Sequence, residues 1–343
     1  MKKLLRATDR IAVRRPDSGE REGMCPLALL GTLSAAILIA SSALAQAADY
    51  PSKPIRIIVP FPPGGGADIT TRIVAQHLGS LGQPVLTENR PGAGGVVGTV
   101  LAAKAPADGY TLLMAVAAHV INPSLFRNVE YDPVRDFSPI TMAYTFPYLL
   151  VVPNNLPVNN VNELIALARS QPGKVTFASA GTGGGNHMAG EMLKVMAKVN
   201  IVHVPYKGGA LAMNDIIGGH VSMLFGTVIE TFPQVRAGKL KAIGISSAKR
   251  SSVAPELPTI SESALPGYEA TGWYSFAAPA GTPTAVIGSL NREITRILAF
   301  PEVNKQLVGG ETWPTTPEKA QEVYVTEWAR WTKVIKESGI KPE

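Results

Sequence analysis

The chain has 343 residues, of which 45% are hydrophobic and 17% are charged, and its formal net charge at pH 7 is +6. Seven of the 32 basic and four of the 26 acidic residues lie in the first 45 positions, so the rest carries only +3. The remaining Lys and Arg are dispersed and do not alternate with aromatic residues, which argues against a nucleic-acid-binding protein.

The first 45 residues have the pattern of an export signal. Residues 2–21 carry seven basic residues, residues 23–48 carry no charge, and Ala43-Leu44-Ala45 is a small-residue cleavage site. The apolar stretch LALLGTLSAAILIA is 14 residues long, whereas a spanning helix needs about 20. We therefore expect a signal peptide over 1–45, cleaved near Ala45, and a periplasmic mature protein.

Two alternatives stay open for this segment. It would be a membrane anchor if it were not cleaved, and translation would begin at Met24 if the long basic region were not part of the signal. The single cysteine, Cys25, lies in the same segment, so the mature chain is predicted to contain no disulfide and no thiol chemistry.

Strands and helices alternate along the remaining chain, which is typical of α/β proteins with parallel sheets. The run IRIIV reads as a buried strand, and apolar residues from Ile69 to Leu81 recur at helical spacing after it. The loop between them contains Gly64, Gly65 and Gly66. A mature chain of this length suggests two domains.

A glycine loop before a helix is suited to binding an anion, because the first N–H groups of a helix lack intrahelical partners and carry partial positive charge. The loop is not a P-loop, since Ala67 and Asp68 follow Gly66 where Lys and Ser or Thr should stand. It also lacks the third glycine of the dinucleotide fingerprint, where Ile69 stands. A tight connection that binds nothing is the alternative interpretation.

The second half of the chain repeats this arrangement. NELIALARS is predicted as a helix and KVTFASA as a strand, and GTGGGNHMAGEMLKVMAKV is a glycine loop that opens a further helix. The stretches IVHVPY and VSMLF are predicted as strands with a short helix, GGALAMNDIIGG, between them. Three helical segments follow residue 283, and the last has Tyr324, Trp328, Trp331 and Ile335 at helical spacing.

From about Tyr50 onward the chain resembles the periplasmic solute receptors of tripartite tricarboxylate transporters, the Bug or TctC family. The matching stretches occur in order and are VPFPPGGGAD, ENRPGAGGVVG, ADGYTLL, HVINPSL, YDPVRDFSPI, PGKVTFASAGTGGGNHMAGE, HVPYKGG, GKLKAIGISSAKR and APAGTP. The resemblance implies an α/β fold of the type II-like Venus flytrap kind. Domain I would comprise 46–148 plus 274–343 and domain II 149–273, each a mostly parallel sheet flanked by helices.

The resemblance also implies where the ligand binds. In this family the loop that matches 61–68 (the first glycine loop) and the loop that matches 181–187 (the second glycine loop) face each other across the cleft and hold a carboxylate, partly through backbone N–H groups. The implied ligand-binding residues are Phe61, Gly64, Gly65, Gly66, Asp68, His119, Ala180, Gly181, Thr182, Gly183, His187, Tyr206, Lys207 and Gly208.

Several of these side chains have an alternative role. Asp68 either caps the helix after Gly66 or contacts the ligand. Because its carboxylate repels that of an acid, a ligand contact would be to a hydroxyl, an amine or a bridging water. His187 at a helix start is a capping residue or a cleft residue, Phe61 covers the ligand or packs the loop, and Lys207 alone reads as solvated surface. Ala117 and Ala118 precede His119 where relatives often have Ser or Thr, which removes a polar contact.

Enzyme functions are disfavoured. Ser179 lies in FASAG, where Phe177 replaces the first glycine of a nucleophile elbow. The five histidines show no close metal-binding spacing such as H-E-x-x-H. We expect no catalytic residues, no cofactor and no metal, a monomeric receptor, and membrane transporter subunits as partners; the alternatives are a chemosensory receptor for the same acids and an exported hydrolase.

The ligand class follows from the loops. Two helix N-termini predict a small organic carboxylate held mainly by backbone N–H groups. Phe61 and the pair Ala117-Ala118 favour an aromatic or short aliphatic acid over citrate.

Overall fold

The structure is a computed structural model and describes residues 50–338, with the backbone alone at residues 337 and 338. The predicted signal peptide, its cleavage site and Cys25 lie outside the described residues. Within the described residues, no helix is both long and apolar enough to span a bilayer.

The described chain contains ten strands, eleven α-helices and two short 3-10 helices, Gly79–Leu81 and Ala93–Gly95. The strands are β1 (Ile55–Val59), β2 (Val85–Asn89), β3 (Thr111–Val116), β4 (Phe137–Pro153), β5 (Thr176–Ser179), β6 (Val202–Pro205), β7 (Met223–Thr227), β8 (Leu240–Ile245), β9 (Thr271–Pro279) and β10 (Glu311–Thr312). The helices are α1 (Gly66–Leu78), α2 (Val96–Ala103), α3 (Ala118–Leu125), α4 (Val161–Ser170), α5 (Gly185–Ala197), α6 (Gly209–Ile217), α7 (Val228–Arg236), α8 (Ile260–Ser263), α9 (Thr284–Leu298), α10 (Pro301–Gln306) and α11 (Pro317–Ser338).

The strands form one mixed sheet in the order β2-β1-β3-β9-β4-β7-β5-β6, with β8 and β10 also paired to β4. β1 is parallel to β2 and β3, and β5 is parallel to β6 and β7. β9 runs antiparallel between β3 and β4. Each end of the sheet is therefore parallel, as predicted, whereas its middle is antiparallel.

The long strand β4 changes partners along its length. Residues Phe137 to Pro147 pair with β9, and Tyr148 to Val151 pair with β7. This change divides the sheet into a first half (β2, β1, β3, β9 and the start of β4) and a second half (the end of β4 with β7, β8, β5 and β6). The domain boundaries at 148/149 and 273/274 stay a prediction.

Burial on both faces explains the apolar strands. Ile55, Ile57, Ile58 and Val59 of β1 are completely buried, as expected for a parallel strand covered by helices on both sides. α11 packs on α3 and β4, and its Tyr324, Trp331 and Ile335 are buried in one cluster with residues of β3 and β9. The helical spacing predicted for this segment therefore marks its core-facing side.

Candidate functional site

A cavity of about 70 Å³ lies at the carboxyl ends of β1, β3, β5 and β7, where loops of both halves meet. Ligands of open α/β sheets bind at this edge because the loops and helix N-termini converge there. The lining residues are Phe61, Gly65, Gly66, Ala67, Val116, Ala117, Phe146, Tyr148, Ala180, Gly184, Gly185, Asn186, Gly209, Leu224, Gly226, Thr227, Glu230, Trp273 and Tyr274.

The first glycine loop brings the N-terminus of α1 to this cavity. Gly65 is the N-cap residue and supplies no side-chain cap, and Gly66 and Ala67 line the cavity. A Cβ atom on Gly65 would meet no atom within 4 Å although the residue is buried, so its free space is the cavity itself. Gly66 has no such space, because a Cβ there would lie 2.6 Å from the Tyr274 hydroxyl.

Asp68 holds this loop in place from inside the protein. Its Oδ2 accepts a 2.9 Å hydrogen bond from the Gly64 N–H, and Arg72 Nε and Asn89 Nδ2 donate to its Oδ1 at 3.0 and 2.9 Å. Burial opposes ionisation, but the bonds from Arg72, Gly64 and Asn89 together hold the Asp68 pKa below its usual value. Asp68 is 3% exposed and does not line the cavity, and its bond to Gly64 holds the loop before the helix without capping a helical N–H group.

The second glycine loop brings the N-terminus of α5 to the same cavity. Gly184 is its N-cap residue without a side-chain cap, and Gly184, Gly185 and Asn186 line the cavity. Gly181 and Gly183 have φ angles of +140° and +82°, which favour glycine. The Gly183 N–H donates to Nδ1 of His187 at 3.2 Å.

Two stacked imidazoles, the buried His187 and the half-buried His203, support the second glycine loop. His187 stacks on His203 with ring centroids 3.9 Å apart, and the Ser179 hydroxyl lies 2.6 Å from Nε2 of His203. Burial lowers the pKa of His187 to about 3 and that of His203 to about 4, so both rings are neutral at pH 7. Ser179 also bonds both the N–H and the carbonyl of Gly181, at 3.2 and 3.1 Å.

Loops of the two halves contact each other beside the cavity. Gly208 packs against the Pro62 ring, and Gly64 lies beside Ala210. A Cβ on Gly183 would overlap Oδ1 of Asn122, a side chain of α3. The loops are thus in contact with each other as well as with the cavity.

Two other predicted side chains point away from the cavity. The Tyr206 hydroxyl donates a 2.6 Å hydrogen bond to Asp215 on α6, and Lys207 is exposed. Gly208, with φ +128°, is the N-cap of α6, and the next residue, Gly209, lines the cavity. The loop therefore reaches the cavity through its backbone.

His119 lies in the core of the first half. It is 2% exposed, its Nε2–H donates to the Pro133 carbonyl at 2.9 Å, and its ring stacks on Tyr131 and meets Phe137 edge-on. Burial lowers its pKa to about 4. The neighbouring Ala117, and not His119, lines the cavity.

An aromatic wall, which the sequence interpretation did not include, forms one side of the cavity: Phe146, Tyr148, Trp273 and Tyr274. Phe146 packs on Tyr274 with ring centroids 4.6 Å apart and on Tyr148 at 5.5 Å. The i, i+2 spacing of Phe146 and Tyr148 on one strand puts both on one face. This spacing was the sequence feature that could have indicated their shared position.

Glu230 is a further cavity residue that sequence reasoning missed. It lies in the first turn of α7, and its carboxyl accepts a hydrogen bond from the Thr227 hydroxyl at 3.2 Å. Burial raises its pKa to about 7. The signal was present in MLFGTVIE, where a strand and a glycine again precede a helix. Among the described lining residues, none is Lys, Arg or His.

A model of the tripartite tricarboxylate transporter family receptor matches residues 70–340. The chain belongs to this family. Among its curated relatives, BugT of Bordetella pertussis is 36% identical over 320 residues, which are 92% of this chain and 98% of BugT. The UPF0065 protein in the tcbD-tcbE intergenic region of Pseudomonas sp. strain P51 is 40% identical over 302 residues, 87% of this chain and 90% of that protein.

Solved structures resemble this receptor over their whole length. The periplasmic binding protein BugD is 34% identical with a TM-score of 0.83, and R. palustris Rpa4515 with adipate is 34% identical with a TM-score of 0.82; each match covers 86% of the receptor and 100% of the other chain. MatC from Rhodopseudomonas palustris with bound malate is 29% identical with a TM-score of 0.80, covering 83% and 100%. The predicted family and the α/β periplasmic binding protein fold are confirmed.

In this receptor the structure brings four of the predicted residues to the cavity: Phe61, Gly65, Gly66 and Ala180. Most of the others support the two glycine loops from outside the cavity, whereas His119, Tyr206 and Lys207 do not approach it. The walls thus combine the backbone of helix N-termini, aromatic side chains and one carboxyl group, a set suited to binding a small polar molecule.

Proposed function

We propose that this receptor binds a small organic carboxylate in the cavity between its two glycine loops and delivers it to membrane subunits of a tripartite tricarboxylate transporter. Family membership supports the transport role. Two of its structural neighbours, Rpa4515 with adipate and MatC with bound malate, hold carboxylates. The glycine-loop residues are proposed as the ligand-binding residues on this basis.

One observation carries the ligand class. The N-termini of α1 and α5, from different halves of the sheet, reach one cavity without side-chain caps. The unpaired N–H groups of a helix start favour an anion, and a hydrogen bond to a charged group contributes about 1.5 to 3 kcal/mol. Backbone donors hold a carboxylate here without any basic side chain in the cavity wall.

The geometry also supports a binding protein over a hydrolase. The Ser179 hydroxyl is completely buried, bonds the backbone of Gly181 and does not line the cavity. A ligand in the cavity would therefore not meet this nucleophile. We propose that the receptor binds its ligand without converting it.

We also propose that the mature receptor is periplasmic and begins near Gln46. The receptor family and the signal pattern of residues 1–45 support this location. Mass spectrometry of the protein isolated from its native host should find an N-terminus at or near Gln46. Residues 27–45 still attached in the membrane fraction would contradict cleavage.

A thermal-shift screen of mature receptor tests the ligand class. Monocarboxylates, dicarboxylates, tricarboxylates, aromatic acids and amino acids are compared with their methyl esters. A ligand at 100 times its Kd stabilises by about 2.7 kcal/mol. We expect at least one free acid to stabilise and its ester not to. Stabilisation by uncharged sugars alone, or equally by acid and ester, would overturn the proposal.

A further inference from the structure

The carboxyl group of Glu230 lies where three helix starts line one cavity. It belongs to the first turn of α7, it packs directly against Gly209 at the start of α6, and it lines the same cavity as Gly66 at the start of α1. The Thr227 hydroxyl donates to this carboxyl at 3.2 Å and would lie 2.8 Å from a Cβ atom on Gly66. The protein thus places its own carboxyl group beside the N-terminus of α1.

This arrangement changes what the two glycine loops do. Because Glu230 lines the cavity beside the start of α1, a ligand carboxylate bound at Gly66 would lie close to a second carboxyl group. The start of α5, at Gly184, Gly185 and Asn186, remains open on the other side of the cavity. A second ligand carboxylate beside Glu230 would be repelled, because like charges in a shared site disfavour ionisation of both.

The rest of the cavity wall is suited to a cation. Phe146, Tyr148, Trp273 and Tyr274 line the same cavity as Glu230. Aromatic rings attract ammonium groups, including quaternary ones, within about 6 Å. A cavity lined by a carboxyl group, aromatic residues and the backbone of helix N-termini matches a molecule that carries both charges.

We propose that this receptor selects small zwitterions, aminocarboxylates or betaines, whose carboxylate binds the N-terminus of α5 and whose ammonium group pairs with Glu230 against the aromatic wall. This inference rests on the proposed function, since it assumes carboxylate binding in the same cavity. Glu230 is then the specificity-determining residue that distinguishes these ligands from dicarboxylates.

Proton linkage follows from the surroundings of Glu230. Its pKa is about 7, and the nearest titratable groups, Tyr274 on β9 and Tyr148 on β4, have raised pKa values and stay neutral there. Gly66 on α1 and Gly209 on α6 bring no charge, and Asp68 is paired with Arg72. An ammonium ligand lowers the Glu230 pKa, so its binding releases a proton and strengthens from pH 6 to pH 8.

Calorimetry with matched ligand pairs tests this inference. The pairs are glycine betaine with 3,3-dimethylbutanoate, 4-aminobutyrate with butyrate, L-leucine with 4-methylpentanoate, and L-phenylalanine with 3-phenylpropanoate; adipate and malate serve as dicarboxylates. In at least one pair we expect the zwitterion to bind about tenfold or more tightly than its partner, as for a paired charge. Titration in two buffers of different ionisation enthalpy should show proton release.

The variant Glu230→Gln keeps the shape of the side chain and removes its charge. We expect it to weaken zwitterion binding about tenfold or more, to leave the affinity for the partner acid without an ammonium group within about threefold, and to abolish proton release. Glu293→Gln is the matched control, because Glu293 pairs with Arg296 on the surface and does not line the cavity. The wild-type pair comparison needs no variant and decides the inference if Glu230→Gln does not fold.

The outcomes separate this inference from the proposed function. Tighter binding of the deaminated acids or of adipate than of every zwitterion, or unchanged zwitterion binding in Glu230→Gln, would overturn the inference and leave carboxylate binding standing. Binding of none of the acids and none of the zwitterions would overturn both.

Discussion

The Thr227 hydroxyl donates a 3.2 Å hydrogen bond to the carboxyl group of Glu230 and lies beside Gly66, so side chains of the second half contact a helix start of the first half. The contact joins the first glycine loop to the start of α7. The protonation state of this carboxyl group therefore affects both the stability of the receptor and its choice of ligand. Five predictions about the cavity and its surroundings can be tested.

Gly65→Val should abolish ligand binding without unfolding the protein. Gly65 has φ −83° and a Cβ there meets no atom within 4 Å, so the side chain fits the backbone and fills the cavity. We expect calorimetry to show at least a hundredfold loss of affinity, about 2.7 kcal/mol. Gly79→Val is the control, since Gly79 has φ −58°, is exposed and also has free space. Equal affinity of both variants would place the ligand elsewhere.

Glu230→Gln should make the receptor more stable at alkaline pH relative to wild type. The Glu230 pKa rises from 4.5 to about 7 on folding, so the folded chain binds this proton more tightly and stability is lost as pH rises between these values. The loss is at most about 3 kcal/mol. Urea unfolding of both proteins at pH 4.5 and pH 8 measures it; a difference between the two proteins that does not change with pH would contradict the raised pKa.

His119→Phe should stabilise the receptor at acid pH relative to wild type. The pKa of His119 falls from 6.5 to about 4 on folding, so the unfolded chain binds the proton more tightly and stability falls as pH drops through this window. The contribution lost at pH 4 is about 3 kcal/mol. Denaturation at pH 7 and pH 4 should show that the variant loses less stability on acidification than wild type. Its ligand affinity at pH 7 should stay unchanged. A large loss of affinity would show that His119 contributes to ligand binding.

Ser179→Ala should destabilise the second glycine loop without any effect on turnover. The variant loses the bonds of Ser179 to Gly181 and His203, which we expect to cost about 1 to 3 kcal/mol in unfolding experiments. Incubation of either protein with a bound acid, followed by NMR, should return the acid unaltered. Product that forms with wild type and disappears in Ser179→Ala would show an enzyme.

The receptor should contract on binding its ligand. Only a closed cavity lets the helix starts at Gly65 and Gly184 contact one small molecule, and the long strands β4 and β9 connect the two halves as a hinge. Small-angle scattering should show a smaller radius of gyration with saturating ligand, and no change for Gly65→Val under the same conditions. An unchanged radius at saturation confirmed by calorimetry would argue against a hinge.

Local sequence patterns were sufficient to predict several strands and helices and the two glycine loops. Apolar runs and helical spacing are properties of neighbouring residues, so β1, α1, β5 and α5 lie where the periodicity predicts them. The glycines before α1 and α5 likewise follow from local backbone requirements, and Asp68 holds a loop residue only four positions away. Order along the chain was also enough for family membership.

Which side chains face the cavity depends on contacts between distant segments. Tyr274 meets Gly66, and Tyr148 meets Gly185, because β4 and β9 pair in the middle of the sheet. Thr227 reaches Gly66 over more than 160 residues of chain, and the pKa of Glu230, to which Thr227 donates, depends on how deeply this packing buries the carboxyl group. Burial and long-range pairing are not encoded in any short stretch, whereas helix starts and turns are.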